Sequence, residues 1–453
     1  MSRERRLFGT DGVRGIANRH PITPELVLRL GKSAAEVFKN GKKRTKILIG
    51  KDTRISGYIL ETALTSGICS MGVDVLLVGP LPTPAIAHLT KSFGADAGIV
   101  ISASHNPSEY NGIKFFSGNG FKLPDQKELE MEDVLFSESY SKDHVNGSSI
   151  GKAYRIEDAK GRYIEFAKST VNNSSLSGLK IVLDCANGAA YNVAPTIFSE
   201  LGAEVVVLNN RPNGLNINSA CGTLHIDVIR DAVNAEGADI GMALDGDADR
   251  IIMVDEKGEE FDGDCIMALC GLDMKKHNTL KKNTIVATTM SNMGLELFCR
   301  EKGIGFLRTD VGDRHVIAEM MKGGFSFGGE QSGHMVFMDH ITTGDGIITG
   351  LQVLNIMKRA GKKLSELRLF ERFPQVLVNT NVKEKKDFSD MPAVSARIRD
   401  AQKRLGDNGR LIVRYSGTEN IARVMVEGGQ EDDVRSMAEG IAGEIEKAIG
   451  TGR

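Results

Sequence analysis

Residues 97–116 read AGIVISASHNPSEYNGIKFF. The unbroken run Ala97-Gly98-Ile99-Val100-Ile101 has the length and branching of a buried strand. It stops at Ser102, Ser104, His105, Asn106 and Pro107, and Asn111-Gly112 then predicts a turn into a second strand over residues 113–116. Upstream, the pattern predicts strands at residues 46–50 and 73–78 and helices near 57–71 and 82–91. This β-α-β-α-β alternation implies a sheet with helices on both faces. Such sheets bind ligands beyond the carboxyl ends of their strands, where Asp52-Thr53-Arg54 and Ser104 fall. Ser104 presents a hydroxyl on a stiff loop, with an imidazole beside it and the Lys114 ammonium ten residues on. That grouping suits a phosphoryl-carrying nucleophile. The blander reading is a turn serine capping a helix. A Ser-His hydrolase is opposed by the missing G-x-S-x-G elbow.

The pattern repeats outward. Residues 7–15, LFGTDGVRG, form a glycine-punctuated loop carrying Arg14, and a helix over residues 24–39 follows with Thr23 as its cap and Pro24 at its first position. Residues 122–151 are charged and Ser-rich, and lead out of the first unit through a surface helix. A second alternating unit begins near Leu179 with LKIVLDCANGAA, and has later strands at 204–208 and 238–244. A third begins near Asn283, with a helix at 292–301, a strand at 304–308 and a helix at 313–322. Three units of like layout imply a structural triplication without a crisp sequence repeat. The last part changes character: strands at 373–382, 410–415 and 422–427, with helices at 392–405 and 432–449, form a small α+β domain.

At 453 residues the chain exceeds one ordinary core, so two to four domains are expected. Lys plus Arg (57) nearly balance Asp plus Glu (59), which argues against a dedicated nucleic-acid or anionic-membrane surface. Neither a signal-peptide core nor a membrane-length apolar run stands out. Six scattered cysteines contain no C-x-x-C pair, which disfavours a zinc site or redox dithiol. A cytoplasmic enzyme is the expectation.

Three further motifs carry chemistry. Asp245-Gly246-Asp247-Ala248-Asp249-Arg250 offers three alternating carboxylates to one hard cation. An EF-hand loop is the competitor. Its sixth position would be Arg250 where glycine is required, and the flanks read as strands. Gly328-Gly329-Glu330-Gln331-Ser332-Gly333-His334 is either a glycine-rich polar turn or a reader of vicinal hydroxyls through Glu330 and Ser332. Arg414-Tyr415-Ser416-Gly417-Thr418-Glu419, with Arg423 following, is either an exposed turn or an anion cradle of guanidinium forks, hydroxyls and backbone N–H groups. There is no nucleotide P-loop.

Taken in order, FGTDGVRG, GKDTRISG, GIVISASHNPSEYNGIKFF, DGDADR, GGEQSGH and RYSGTE resemble the α-D-phosphohexomutase family over essentially the whole chain. The resemblance implies three doubly wound α/β domains and a small α+β C-terminal domain around a central cleft. On the sequence their bounds are 1–155 (serine loop), 156–256 (metal loop), 257–372 (sugar-recognition loop) and 373–453 (phosphate-binding domain). It also implies roles. Ser104 is the serine phosphorylated in the active enzyme, and with Asp245, Asp247 and Asp249 it binds one Mg2+. Lys114 and His105 transfer protons and stabilise charge, while Arg14 and Arg250 steady the reacting phosphoryl group. Glu330 and Ser332 read the sugar, with His334 close by and Asp313 and Arg314 orienting it. Arg414, Ser416, Gly417, Thr418 and Arg423 clamp the non-reacting phosphate.

Phosphoryl transfer needs alignment and charge neutralisation more than covalent help, which suits this set. Gln331, where phosphoglucomutases and phosphomannomutases commonly have methionine, resembles the glucosamine branch, as do Ser102-Ala103-Ser104 and the Pro21-Ile22-Thr23-Pro24 start. Tyr415 stands where many relatives have lysine or proline. The expected reaction interconverts glucosamine 6-phosphate and glucosamine 1-phosphate through a bound sugar 1,6-bisphosphate. Glucose or mannose phosphate as substrate is the alternative within the family, and a metal-dependent sugar phosphatase the alternative outside it. The expected partner is a small phosphosugar, with neither nucleic acid nor membrane and with a homodimer left open.

Overall fold

The computed structural model describes residues 5–9, 11–39, 44–142, 145–416 and 420–451. The first sheet is built from β1 (Val13–Ile16), β2 (Lys46–Lys51), β3 (Asp74–Pro80), β4 (Ala97–Ile101), β5 (Tyr110–Ser117) and β6 (Ala153–Arg155), in the order β1-β5-β4-β2-β3-β6. Helices α1 (Pro24–Phe38), α2 (Ser56–Ser70), α3 (Thr83–Ser92) and α4 (Asp125–Ser137) accompany it. Thr23 caps α1 by accepting from Leu26 N, and Pro24 needs no partner at the first position. Leu30 and Ala34 of α1 pack with Leu64 of α2, Met131 of α4 and Ile49 of β2 in one apolar core. Every residue of β4 is buried, as its unbroken apolar run requires.

Next come α5 (Ala159–Ser169), β7 (Lys180–Asp184), α6 (Val193–Glu200), β8 (Glu204–Leu208), α7 (Ile226–Glu236), β9 (Ile240–Leu244), β10 (Ile251–Asp255), β11 (Glu260–Phe261) and α8 (Gly263–Lys276). Their sheet runs β11-β10-β9-β7-β8. The third sheet runs β13-β12-β14-β15, from β12 (Thr284–Thr288), β13 (Gly305–Thr309), β14 (Phe327–Gly329) and β15 (Met335–Phe337). Along the chain, α9 (Met293–Glu301) and α10 (Asp313–Gly323) intervene, and α11 (Gly346–Ala360) follows.

The three sheets share one plan. Each contains a parallel trio (β3-β2-β4, β8-β7-β9, β13-β12-β14), extended in the first sheet by β6 parallel to β3, and the last strand of each trio is continued by an antiparallel partner (β5, β10, β15). The turns of those three hairpins carry Ser104, the Asp245–Asp249 loop and Glu330. Each turn lies beside the strand pair where the order reverses, the place where open α/β sheets receive ligands. The triplication expected from the layout is therefore one of strand order.

One local expectation is corrected. Asn111 and Gly112 do not turn the chain; they lie inside β5, opposite Gly15 and Arg14 of β1, and the turn is made by residues 102–109. Asn111 is buried, with its amide donating to Ser56 Oγ at 2.8 Å. A side chain at Gly112 would stand 2.7 Å from the Ser102 carbonyl, so glycine serves close approach here rather than a turn.

The contacts divide the chain into two units: Met1–Met290 with Ile304–Arg368, and Ser291–Gly303 with Leu369–Arg453. The second unit holds α9 and a small antiparallel sheet, β16-β18-β17, of β16 (Gln375–Asn381), β17 (Arg410–Tyr415) and β18 (Ile421–Glu427). Helices α12 (Pro392–Leu405) and α13 (Glu431–Ile449) pack on it through Val394, Val434, Ile441 and Ile445. Buried Glu427 ties the unit together, pairing with Arg410 at 2.9 Å and accepting from Met293 N at 2.9 Å.

Candidate active site

Ser104 lies in the turn three residues beyond the end of the short apolar strand β4, with a left-handed backbone, φ +51°. Few non-glycine residues adopt this, and it persists only where the surroundings impose it. Here Ser102 Oγ accepts from Ser104 N at 3.0 Å and donates to Asp52 Oδ2 at 2.7 Å. The buried Arg54 guanidinium pairs with Asp52 at 2.9 Å and donates to the Ser104, Asn106 and Pro107 carbonyls. The Ser104 hydroxyl is thereby aimed across to the second sheet, donating to Asp245 Oδ2 at 2.6 Å, with His105 Nδ1 at 3.3 Å. Burial, aided by the Arg250 and Arg14 guanidiniums, pushes His105 below the ordinary imidazole range despite the pull of Asp247 and Asp249, which favours a neutral ring.

The turn after β9 is strand-flanked, as the sequence predicts, and presents Asp245, Asp247 and Asp249 with ligand atoms within 4.8 Å of one another. All three are buried, and Asp247 Oδ1 and Asp249 Oδ1 have no hydrogen-bond partner. Orphaned buried carboxylate oxygens are costly unless a cation meets them, so the donor set fits a hard divalent ion. Burial and the neighbouring Asp249 and Asp247 push the Asp245 carboxyl well up. Burial acts the same way on Asp247, but the Lys114 ammonium and the Thr83 hydroxyl override it and hold that carboxyl below the carboxylate range. Lys114 Nζ, from the middle of β5 where both faces are buried, stands 2.9 Å from Asp247, 3.1 Å from Asp11 and 3.7 Å from Asp249. Burial disfavours its charge, yet these three carboxylates raise its pKa well above the usual lysine value. It is a firmly held ammonium.

A cavity of about 610 Å3 opens over these groups. Its wall brings together Arg14, Ser104, Lys114, Asp249, Arg250, Asp313, Glu330, Ser332 and His334 from the three sheets. Glu330 is buried and accepts from Gly312 N at 3.0 Å, which sets the 312–313 corner beside the hairpin turn. Arg250 Nε lies 3.8 Å from Asp249, and Arg14 lies 3.7 Å from Asp11. His334 is buried, 3.4 Å from Asp313. Arg314, expected beside the sugar, turns instead to α4, where it pairs with Glu128 at 2.7 Å and with Asp125. The next residue in a helix points about 100° away, so Asp313 and Arg314 do not share a target.

Sequence reasoning missed Asp11 and Lys122. Lys122 Nζ bridges Asp11 at 2.7 Å and Asp313, joining the loop before β1 to the start of α10 inside the cavity wall. The signal was the acidic residue in FGTDGVRG, read only for its arginine. Asn218 and Arg54, which grip the serine turn, were not assigned a role either.

In the second unit, Arg414 of β17 lies directly opposite Arg423 of β18. Like charges directly opposite one another across a strand pair are in themselves unfavourable. Lys385 donates to the Ser416 carbonyl at 2.7 Å, and Tyr415 stacks on Phe388 at 4.5 Å. Gly417 and Thr418 lie outside the described residues.

The phosphoglucomutase/phosphomannomutase family model matches in four parts: α/β/α domain I over residues 5–142, domain II over 161–258, domain III over 262–373 and the C-terminal domain over 377–444. A phosphoglucosamine mutase of Geobacter sp. (strain M21) is 58% identical over 448 residues, covering 98% of this chain and 99% of the relative. A phosphoglucomutase/phosphomannomutase family protein from Burkholderia thailandensis is similar in structure with a TM-score of 0.81 at 24% identity, over 98% of this chain and 97% of that one. An N-acetylphosphoglucosamine mutase of Aspergillus fumigatus, solved with GlcNAc-6P and magnesium, has a TM-score of 0.65 at 19% identity, over 99% and 96% of the two chains. These two structures show likeness of fold.

Proposed function

Because the chain belongs to the phosphoglucomutase/phosphomannomutase family, we infer that it interconverts glucosamine 6-phosphate and glucosamine 1-phosphate. The observation that carries this reading is the Ser104 hydroxyl, buried at the mouth of the acidic triad and donating to Asp245 at 2.6 Å. The substrate follows the 58% identical relative, which is named for glucosamine phosphate.

In this reading Ser104 carries the phosphoryl group. The C1 hydroxyl of bound glucosamine 6-phosphate attacks the phosphoserine phosphorus. The bond from phosphorus to the serine oxygen breaks, and a 1,6-bisphosphate results. After the intermediate turns end over end, the Ser104 hydroxyl attacks the other phosphate, and the bond from phosphorus to the C6 oxygen breaks. Asp245, Asp247, Asp249 and the serine phosphate would hold Mg2+, which when bound neutralises charge on the phosphoryl oxygens. Lys114, Arg250 and Arg14 add fixed positive charge around the same atoms. Neutral His105, whose Nδ1 stands 3.3 Å from Ser104 Oγ, takes the proton of the attacking C1 hydroxyl and passes it to the departing serine oxygen, while the Lys114 ammonium keeps its proton and stabilises charge; in the second half the Ser104 hydroxyl proton passes by the same route to the departing C6 oxygen. Glu330 and Ser332 accept from sugar hydroxyls. The Arg414, Ser416, Gly417, Thr418 and Arg423 cradle of the second unit holds the phosphate that is not reacting. We place the enzyme in the cytoplasm; no helix among the described residues is long and apolar enough to cross a membrane.

The test is turnover of glucosamine, glucose and mannose phosphates with Mg2+ and a trace of sugar 1,6-bisphosphate. Isomerisation fastest with glucosamine phosphate supports the reading. Faster glucose or mannose phosphate turnover refutes the substrate, and net phosphate release without isomerisation refutes the mutase.

A further inference from the structure

The Ser104 turn is gripped from two sides. Arg54, from the loop after β2, donates to the Ser104 and Asn106 carbonyls at 2.9 and 2.8 Å. Asn218 Nδ2, from the loop between β8 and α7, donates to the same two carbonyls at 2.9 and 3.0 Å. Arg54 belongs to the sheet that carries the serine. Asn218 belongs to the sheet that carries the aspartate loop.

Asn218 is itself held in place. Its backbone is left-handed, φ +57°, and its N–H donates to the Ala186 carbonyl at 2.9 Å. The loop it sits on is tied to the first sheet, since Ile55 N donates to the Gly214 carbonyl at 2.9 Å, and the neighbouring loop after β7, which accepts the Asn218 N–H, is tied there too by Thr53 Oγ1 donating to the Asn187 carbonyl at 2.6 Å. The aspartate loop passes over the same point: a side chain at Gly246 would stand 2.5 Å from the Ser104 carbonyl and 2.8 Å from Asn218 Nδ2. One amide group therefore touches the serine carbonyl where the backbone between Asp245 and Asp247 crosses it.

We propose that Asn218 is a positioning residue that registers the Ser104 turn against the Asp245–Asp249 loop. This rests on Ser104 being the phosphoryl carrier. Fixing the carbonyl fixes the peptide plane after Ser104, and with it the left-handed backbone that aims Oγ at Asp245. Without the Asn218 amide, Arg54 still folds the turn within the first sheet, but among the described residues no other group of the second sheet hydrogen-bonds those two carbonyls. Asn218 does not line the cavity. Its loss therefore changes the rate of transfer and leaves substrate affinity alone.

The test uses Asn218→Gly, which keeps the left-handed backbone and removes only the amide, with Asn218→Asp, which keeps the shape and sets a carboxylate against the two carbonyls. Misplacing a reacting group by about 1 Å costs roughly 100-fold. The expected kcat is about 10- to 100-fold lower in both variants, with KM within about twofold of the parent. The single-turnover rate of phosphoryl transfer from Ser104 should fall by the same factor in protein whose urea transition shows it to be fully folded under the assay conditions. Parental kcat in Asn218→Gly, a rise in KM at constant kcat, or a rate loss accounted for by unfolded protein would each overturn the proposal. Ser104→Ala runs alongside. An inactive Ser104→Ala beside a fully active Asn218→Gly overturns this inference alone, whereas a fully active Ser104→Ala overturns the phosphoserine reading beneath it.

Discussion

Lys114→Met is the most informative single change to the charged centre. Methionine roughly replaces the stem and removes the charge. In the parent, Nζ faces Asp247 at 2.9 Å, Asp11 at 3.1 Å and Asp249 at 3.7 Å, and the side chain is 2% exposed. With an effective dielectric constant of about 20, a unit-charge pair at 2.9 Å is worth roughly 6 kcal/mol before desolvation. Desolvation offsets much of this, and removing one partner of a buried pair costs about 3–5 kcal/mol net. The metal-free variant should therefore lose about 3–5 kcal/mol against urea, and added Mg2+ should recover much of it by supplying the missing positive charge. Catalysis should fall independently of folding, because a fixed charge donor is worth about 100- to 1000-fold in kcat. The assays are urea unfolding in chelator and in Mg2+, and steady-state turnover at saturating substrate. A variant that keeps parental turnover, or one equally stable in chelator, would refute the reasoning that this ammonium is the internal counter-charge of the site.

Buried Asp345 accepts from Tyr163 Oη and from Ile347 and Ile348 N–H groups, and burial nonetheless raises its carboxyl to about 7. The unfolded chain releases that proton first, so stability is greatest below about pH 4 for this group and is lost as pH rises to about 7; urea midpoints at pH 5 and 8 should show Asp345→Asn gaining about 3 kcal/mol on the parent. Glu132 accepts from the N–H groups of Arg6, Leu7 and Phe8, so Glu132→Ala should destabilise the chain by roughly 2–4 kcal/mol in urea unfolding, with Glu132→Gln closer to the parent. Arg423→Ala should raise KM for the phosphosugar about 10- to 100-fold in steady-state kinetics, the worth of one charge-assisted bond to phosphate, with a smaller change in kcat.

What the sequence revealed follows from how far each signal reaches along the chain. Ser104, Asp245–Asp249 and Glu330 were legible because each sits in a short polar turn cut into an apolar strand. The helix at 392–405 was read to the residue, because Pro392 opens it and charges mark its outer face. Helices α5, α7, α8 and α11 were not assigned; α8 and α11 are buried on most sides, α11 burying ten of its fifteen residues, which thins the polar face that marks a surface helix. Asn111-Gly112 misled because the pair that favours a hairpin turn also permits a strand to pass close to another backbone. The Asn218 amide meets Ser104 across 114 residues, and Lys122 meets Asp313 across 191, which no local pattern carries.

The decisive measurement is the intact mass of the parent and of Ser104→Ala after incubation with sugar 1,6-bisphosphate and Mg2+, read together with turnover. The parent should gain a single phosphate, mapped to the peptide bearing Ser104, and lose it to excess sugar monophosphate. Ser104→Ala should neither gain phosphate nor isomerise substrate. A Ser104→Ala protein that isomerises at the parental rate, or a parent labelled elsewhere, would show that the phosphoryl group does not pass through Ser104.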